Sequence, residues 1–335
     1  MIKFFNPGLG YRQIKGEIDE AIQSVLDRGD LILRKDVEQF EKSVAEYVGV
    51  KYCVALNSCT DALYLALRYL KIGPGDKVLV PSRTFVASVQ VIKQVGAEPV
   101  FYDVDGVEVT DVKAIIPVHI EGAFDNQFAR ILAEAGLNNI PVIEDAAQAF
   151  GATWNERKAG SLGLCGAFSF YPAKTLGAYG DAGALVTNDE ELYKWVRDAR
   201  NHFKEDARDW GVNSRLDNLQ AAILNVKFKY YEQALARREE IAEKYLAGLK
   251  GVTLPPDTEG RIWQDYIIRT EKRNELYEYL KAKGIETMKN NYPFPVPKLP
   301  GAQKYEDETL RLPCNELLTD EEVQTVISHV NAFYE

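Results

Sequence analysis

The sequence predicts an α/β protein: a large domain built on a mostly parallel sheet, followed by a smaller C-terminal α+β domain. Three observations predict it. Apolar strand-like runs alternate with amphipathic helical patterns through the first half, as in a parallel sheet covered on both faces. Near Ala222 the character changes to long charged helices and proline-rich turns. Lys174 follows a strand-like run, Phe168-Ser169-Phe170-Tyr171, and enters a turn rich in small residues, with Gly180-Asp181-Ala182-Gly183-Ala184 close behind. The 335 residues suffice for one large and one smaller domain, placed here at 1–230 and 231–335.

The elements follow in order. Glu17 to Leu26 reads as a helix, with Ile18, Ala21, Ile22 and Val25 on one face. Asp36 to Tyr47 is another, with Val37, Phe40, Val44 and Tyr47 at helical spacing. Tyr52 to Leu56 is a short buried strand, Asp61 to Leu70 a helix, and Lys77 to Val80 a strand. Phe85 to Val95 is helical, and Pro99 to Tyr102 is extended. Ala114 to Val118 and Pro141 to Glu144 are further buried strands. Lys227 to Leu249 reads as one long charged helix. A strand near Tyr266-Ile267-Ile268 and a helix from Asn274 to Ala282 follow. The last helix opens at Thr319-Asp320-Glu321-Glu322, a capping threonine before acidic first-turn residues.

Composition excludes several classes. The 46% hydrophobic content marks a globular chain with a sizeable core, and the net charge of -10 argues against nucleic acid or an anionic membrane as partner. Cys53, Cys59, Cys165 and Cys314 form no C-x-x-C pair, so neither a zinc nor an iron–sulfur site is expected. Scattered thiols, no signal-like start at Met1 to Gly8 and no run of about 20 apolar residues suggest a soluble cytoplasmic protein.

Several residues can carry chemistry. Lys174, delivered by a strand end into a tight loop, can form a Schiff base with a carbonyl cofactor; the alternative is a surface lysine in a glycine-rich turn. In Glu144-Asp145-Ala146-Ala147-Gln148 the acids stand at the carboxyl end of a parallel strand, the edge where open α/β sheets bind ligands. Asp145 suits a pyridinium nitrogen. At about 4 Å and an effective dielectric of about 20 the attraction is roughly 4 kcal/mol, on the order of three pKa units. Asp145 could instead cap a following helix. The helix start at Asn57-Ser58-Cys59-Thr60 suits a phosphate, although such residues also simply cap helices. Phe85 could stack on an aromatic cofactor or belong to the core. Asn213 and Arg215, beside Gly211, could reach a phosphate across a dimer interface or sit in a solvated loop.

Together these segments resemble the DegT/DnrJ/EryC/StrS group, fold-type-I pyridoxal-phosphate-dependent sugar aminotransferases. The resemblance runs over nearly the whole chain and is most specific where Glu-Asp-Ala-Ala-Gln meets Ser-Phe-Tyr-Pro-Ala-Lys. It implies that Lys174 bonds the cofactor and later shuttles protons, and that Asp145 pairs with the ring nitrogen. It implies that Gln148 bonds the phenolic oxygen and Phe85 stacks on the ring. Cys59, Thr60 and Ser169 would hold the phosphate, with Asn213 supplied by a second subunit of a homodimer. His119, in the Val-His segment, is structural or substrate-facing; Tyr179, Arg215 and Tyr292 are further substrate candidates. The chain also departs from the pattern. Cys59 stands where glycine is common, Arg34-Lys35 replaces a glycine-containing turn, Glu121 replaces a frequent aromatic, and Pro297-Lys298 replaces a histidine-containing segment.

The implied reaction has two halves: an amino acid, glutamate in this reading, aminates the cofactor, and the amine then passes to a keto group of a nucleotide-linked sugar. Asn213-Ser214-Arg215-Leu216-Asp217 resembles the branch acting on 3-keto sugars, whereas the 4-keto branch commonly has an aromatic followed by Arg-Met. The rivals are a nucleotide-sugar dehydratase of the same fold and a non-catalytic regulator that binds cofactor or sugar. Lys174 speaks against the dehydratase branch that replaces it with histidine, and the scattered cysteines against the iron–sulfur branch. The lack of a basic patch speaks against a DNA-binding regulator.

Overall fold

The structure, a computed structural model, describes residues 1–256, 258, 260–289 and 296–335. The large domain carries β1 (Tyr52–Leu56), β2 (Lys77–Pro81), β3 (Glu98–Tyr102), β4 (Ala114–Ile115) and β5 (Ile143–Asp145). A small hairpin follows, β6 (Thr153–Trp154) with β7 (Arg157–Lys158), then β8 (Cys165–Ser169) and β9 (Gly183–Thr187). One group pairs in the order β3-β2-β4 and another in the order β5-β8-β9-β1. Parallel bridges Ile115–Val142 and Val118–Asp145 join the two. The result is one sheet, β3-β2-β4-β5-β8-β9-β1, in which only β9 runs against its neighbours.

Both faces of this sheet are buried. Val78 and Val80 face one core with Leu63, Ile143 and Leu185, while Leu79 faces the other with Phe40, Ile115 and Phe168. Successive side chains of a strand point to opposite faces, so double burial gives a continuous apolar run. That is why these strands are legible in the sequence. β9 is not, because its Gly183-Ala184 start lacks the branched side chains that mark strands.

Lys15–Arg28, Lys35–Val48 and Arg273–Ala282 extend the expected helices by one or two residues at an end; Cys59–Tyr69 starts two residues earlier and ends one earlier, and Val86–Gln94 is one residue shorter at each end. A helix at Phe128–Asn138 has no counterpart in the sequence reading. The expected single helix from Lys227 to Leu249 is a correction: it is two helices, Asn218–Phe228 and Tyr231–Gly248. The break at Lys229-Tyr230 turns Tyr231 into the core around Phe40 and Phe168, while Lys229 Nζ and Tyr230 OH both reach Glu17.

A third core belongs to an antiparallel sheet, β10 (Tyr266–Arg269), β11 (Met288–Lys289) and β12 (Thr309–Leu312), paired in the order β10-β12-β11. Tyr266, Ile268, Leu310 and Leu312 pack there against Leu276, Val326 and Val330 of two helices. The final helix, Asp320–Tyr334, begins with a capping box: Thr319 Oγ1 accepts from Glu322 N and the Glu322 carboxylate accepts from Thr319 N. The division expected after residue 230 falls at the start of helix Tyr231–Gly248, whose Tyr231 sits in the core around Phe40 and Phe168 and whose Ile241 and Tyr245 sit in the third. Ile2 also packs in the third core and pairs with Ile285, so the chain's start contributes to the smaller unit.

Candidate active site

Asp145 ends β5. Its backbone is clamped by the segment after β4: Asp145 N donates to Pro117 O and His119 N donates to Asp145 O, each at 2.9 Å. Asp145 is only 5% exposed. Oδ2 accepts from Ser88 Oγ at 2.6 Å; Oδ1 accepts from Ala147 N at 3.2 Å and from Cys59 Sγ at 3.8 Å. A turn rather than a helix follows, so the alternative of a helix cap does not apply.

Lys174 lies in the loop between β8 and β9 and is half-buried. Burial holds its amine below the ordinary lysine value, while Asp265, Cys59 and Asp145 pull the other way. The loop is held from the smaller domain. Gln264 Nε2 donates to Ala173 O, and Thr175 N donates to Gln264 Oε1, both at 3.1 Å. Lys174 and Asp145 therefore share one site, with Cys59 within reach of both charges.

Beside them is the start of helix Cys59–Tyr69, capped by Ser58, which accepts from Asp61 N at 3.1 Å. The N–H groups of Cys59 and Thr60 have no acceptor within their own helix. The start of β9 lies against this turn so closely that a Cβ at Gly183 would stand 2.4 Å from Cys59 N, a contact only glycine permits. Ser169 pairs with Gly183 across β8 and β9. The Cys59 side chain points toward Asp145, and burial, then Asp145, pushes its thiol well above the usual range.

Phe85 and Gln148 line a cavity with Arg83, Lys298, Tyr305 and Arg311. Gln148 Oε1 accepts from Glu121 N at 2.8 Å. Glu121, held at φ 60°, pairs with Arg83, whose guanidinium lies 3.6 Å from the Tyr305 ring centre. Burial alone would raise the Glu121 carboxyl, but Arg83, with Arg311 and Arg261 further off, brings it below the usual range. Gly122 follows at φ 84°, and a Cβ there would stand 1.8 Å from Ile262 O, so the domains meet backbone to backbone. Arg311 pairs with Asp265 at 3.0 Å.

Other candidates lie apart. His119 has no exposed surface; its Nε2 is 3.0 Å from Glu144 Oε2, its Nδ1 accepts from Asp125 N, and Phe124 and Phe128 pack on its ring. The structure thus places it under the site rather than facing the cavity. Tyr179 lines a cleft distinct from the Phe85 cavity, with the N-terminal helix Pro7–Gln13 and Lys227, and Lys174 lines this same cleft. Asn213 is exposed, and Arg215 donates to Asn201 Oδ1 at 2.9 Å. Ser214 between them bonds Asn57 N and Asp61, which ties this loop to the helix start. Tyr292 lies outside the described residues.

The donor set fits pyridoxal phosphate: a buried carboxylate for a ring nitrogen, an amine whose charged form burial disfavours, and free N–H groups for a phosphate, at the carboxyl ends of strands in one sheet. The family model described as the DegT/DnrJ/EryC1/StrS aminotransferase family matches residues 12–331. The chain belongs to that family. It is a pyridoxal-phosphate-dependent sugar aminotransferase of fold type I. It is 37% identical to the dTDP-3-amino-3,4,6-trideoxy-alpha-D-glucose transaminase of Streptomyces venezuelae, over 100% of this chain and 96% of the relative. It is 38% identical to the UDP-2-acetamido-2-deoxy-3-oxo-D-glucuronate aminotransferase of Pseudomonas aeruginosa, over 93% and 91%. The crystal structure of S. venezuelae DesV with a ketimine intermediate superimposes with a TM-score of 0.93 at 35% identity, covering 100% of this chain and 98% of that one.

The sequence reading did not find Ser88, Gln264, Asp265, Arg83 or Arg311 in this aminotransferase. Ser88 had a local signal, three residues after Phe85 in the same helical turn. Arg83 stands two residues before Phe85; Gln264, Asp265 and Arg311 meet the site only through tertiary packing, and nothing in their sequence neighbourhood marks them.

Proposed function

We propose that this aminotransferase moves an amino group from an amino acid, glutamate in our reading, to keto carbon C3 of a nucleotide-linked sugar. The observation that carries the reading is Lys174, half-buried, its amine pushed toward neutrality by burial, in the field of Asp145. Lys174 anchors the cofactor's aldehyde carbon and, once released, moves a proton between cofactor and substrate carbons. Asp145 keeps a proton on the ring nitrogen. When bound, the cofactor supplies an electron sink and carries the amine between the two halves. Gln148, whose Oε1 is taken by Glu121 N, offers its Nε2 to the phenolic oxygen. Phe85 packs on the ring face. Cys59 and Thr60 N–H groups, with the Thr60 and Ser169 hydroxyls, hold the phosphate.

Asn213 comes from a second copy of the chain, so the working unit is a homodimer with shared sites; its exposure supports this. Arg311, lining the cavity beside Phe85, offers its guanidinium to the donor's carboxylate. C3 is supported by the Asn213 to Asp217 pattern and by the relatives' names, which specify a 3-amino and a 3-oxo position for those proteins. Four buried, free cysteines suit a reducing cytoplasm. The test is a panel of nucleotide-linked 3-keto and 4-keto sugars with glutamate as donor, the aminated carbon located by NMR. Amination at C3 is expected; amination only at C4, or none on the panel, would overturn the assignment.

A further inference from the structure

The Asp145 carboxylate has roughly four acceptor directions. Three are filled by the protein. Ala147 N–H and the Cys59 thiol occupy Oδ1, and the Ser88 hydroxyl occupies Oδ2. Among the described residues nothing fills the fourth direction, on Oδ2. Ser88 is wholly buried, and its only proton goes to Asp145. Thr84 Oγ1, 2.7 Å from Ser88 Oγ, therefore donates to it, which extends the chain to Thr84, Ser88 and Asp145. Phe85 caps the same helix in which Ser88 is the third residue. One rigid turn thus sets both the aromatic face and the carboxylate. Cys59 works from the opposite side, as the first residue of helix Cys59–Tyr69. Where glycine is common in the family pattern, this chain supplies a donor, and a glycine would leave Oδ1 with a single bond.

We propose that Ser88 and Cys59 are positioning residues for Asp145, fixing its rotation so that the one unfilled acceptor direction meets the cofactor's ring nitrogen. This rests on the cofactor reading above. Neither side chain need touch the cofactor ring for this role; each acts through the carboxylate. A rotated carboxylate would still be negative, but its hydrogen bond to the ring N–H would be bent and weak.

The experiment loads the chain and its Ser88→Ala, Ser88→Thr and Cys59→Gly variants with pyridoxal phosphate labelled with 15N in the ring, and reads the ring resonance by NMR. Cofactor affinity of each apoprotein and kcat are measured alongside. In Ser88→Ala the resonance is expected to move from the protonated toward the neutral pyridine position, with kcat down about 10- to 100-fold and KM for both substrates little changed. Ser88→Thr, which keeps the hydroxyl, restores the protonated resonance. Cys59→Gly moves it in the same direction by less. A resonance unmoved in both Ser88→Ala and Cys59→Gly overturns the proposal, even if stability falls. If the unaltered chain takes up no labelled cofactor, the cofactor reading falls as well; normal uptake with unmoved variants sinks this inference alone.

Discussion

Gln264 holds the backbone on either side of Lys174, accepting from Thr175 N and donating to Ala173 O at 3.1 Å each. The reactive loop of the large domain is thereby gripped by a side chain of the smaller one. A loop amine that must reach one carbon reproducibly needs such a restraint, because small misplacements at a reacting centre are costly.

Gln264→Ala removes both bonds at a residue only 8% exposed. The expected loss is about 1–3 kcal/mol of stability, read by urea denaturation, with kcat falling about tenfold. An unchanged kcat would mean the loop holds its shape without the clamp.

Lys174→Ala is expected to abolish the visible band of lysine-bound cofactor and to lower turnover by at least about 10³-fold, while circular dichroism stays native. Amine transfer retained by this variant would remove the basis of the proposed mechanism.

The pH dependence follows from the direction of the Lys174 shift. Burial depresses the value, so the neutral amine forms at lower pH than in an ordinary lysine of 10.5. The single-turnover rate with the donor rises with pH and levels off with a midpoint below that value. In the cofactor-free chain the unfolded state binds more protons than the folded one between the two values, so stability rises with pH across that window. A rate midpoint at or above 10.5 would contradict the burial argument.

Asp145→Asn keeps the shape and removes the charge. A loss of roughly 4 kcal/mol of ring-nitrogen stabilisation corresponds to a rate fall on the order of 10²- to 10³-fold, larger than the fall in cofactor affinity. Stopped-flow absorbance and equilibrium binding separate the two. Equal losses would reduce Asp145 to a structural role.

His119→Ala breaks a buried pair in which the Glu144 carboxylate also accepts from Gly160, Leu162 and Gly163. The expected cost is about 3–5 kcal/mol in chemical denaturation, with the KM for the sugar unchanged in the folded fraction. A selective rise in that KM would make His119 substrate-facing.

Cys59 shows where reading a sequence stops. Its departure from glycine is visible in the sequence, but its Asp145 partner, 86 residues away, is not. Glu121 and Arg83 are similar: Glu121 stood out as unusual, yet only the fold pairs it with Arg83, stacks that arginine on Tyr305 and brings Arg311 into the same field.

By itself the sequence determined the parallel sheet, the lysine loop after β8 and the acid at the end of β5, because burial on both faces and the end of a strand leave local, periodic marks. Tertiary structure alone decided that Gln264, Asp265 and Arg311 stand beside that lysine. Hydrogen bonds and charge fields act across space between residues far apart in the chain, and their partners share no spacing that a one-dimensional pattern could carry.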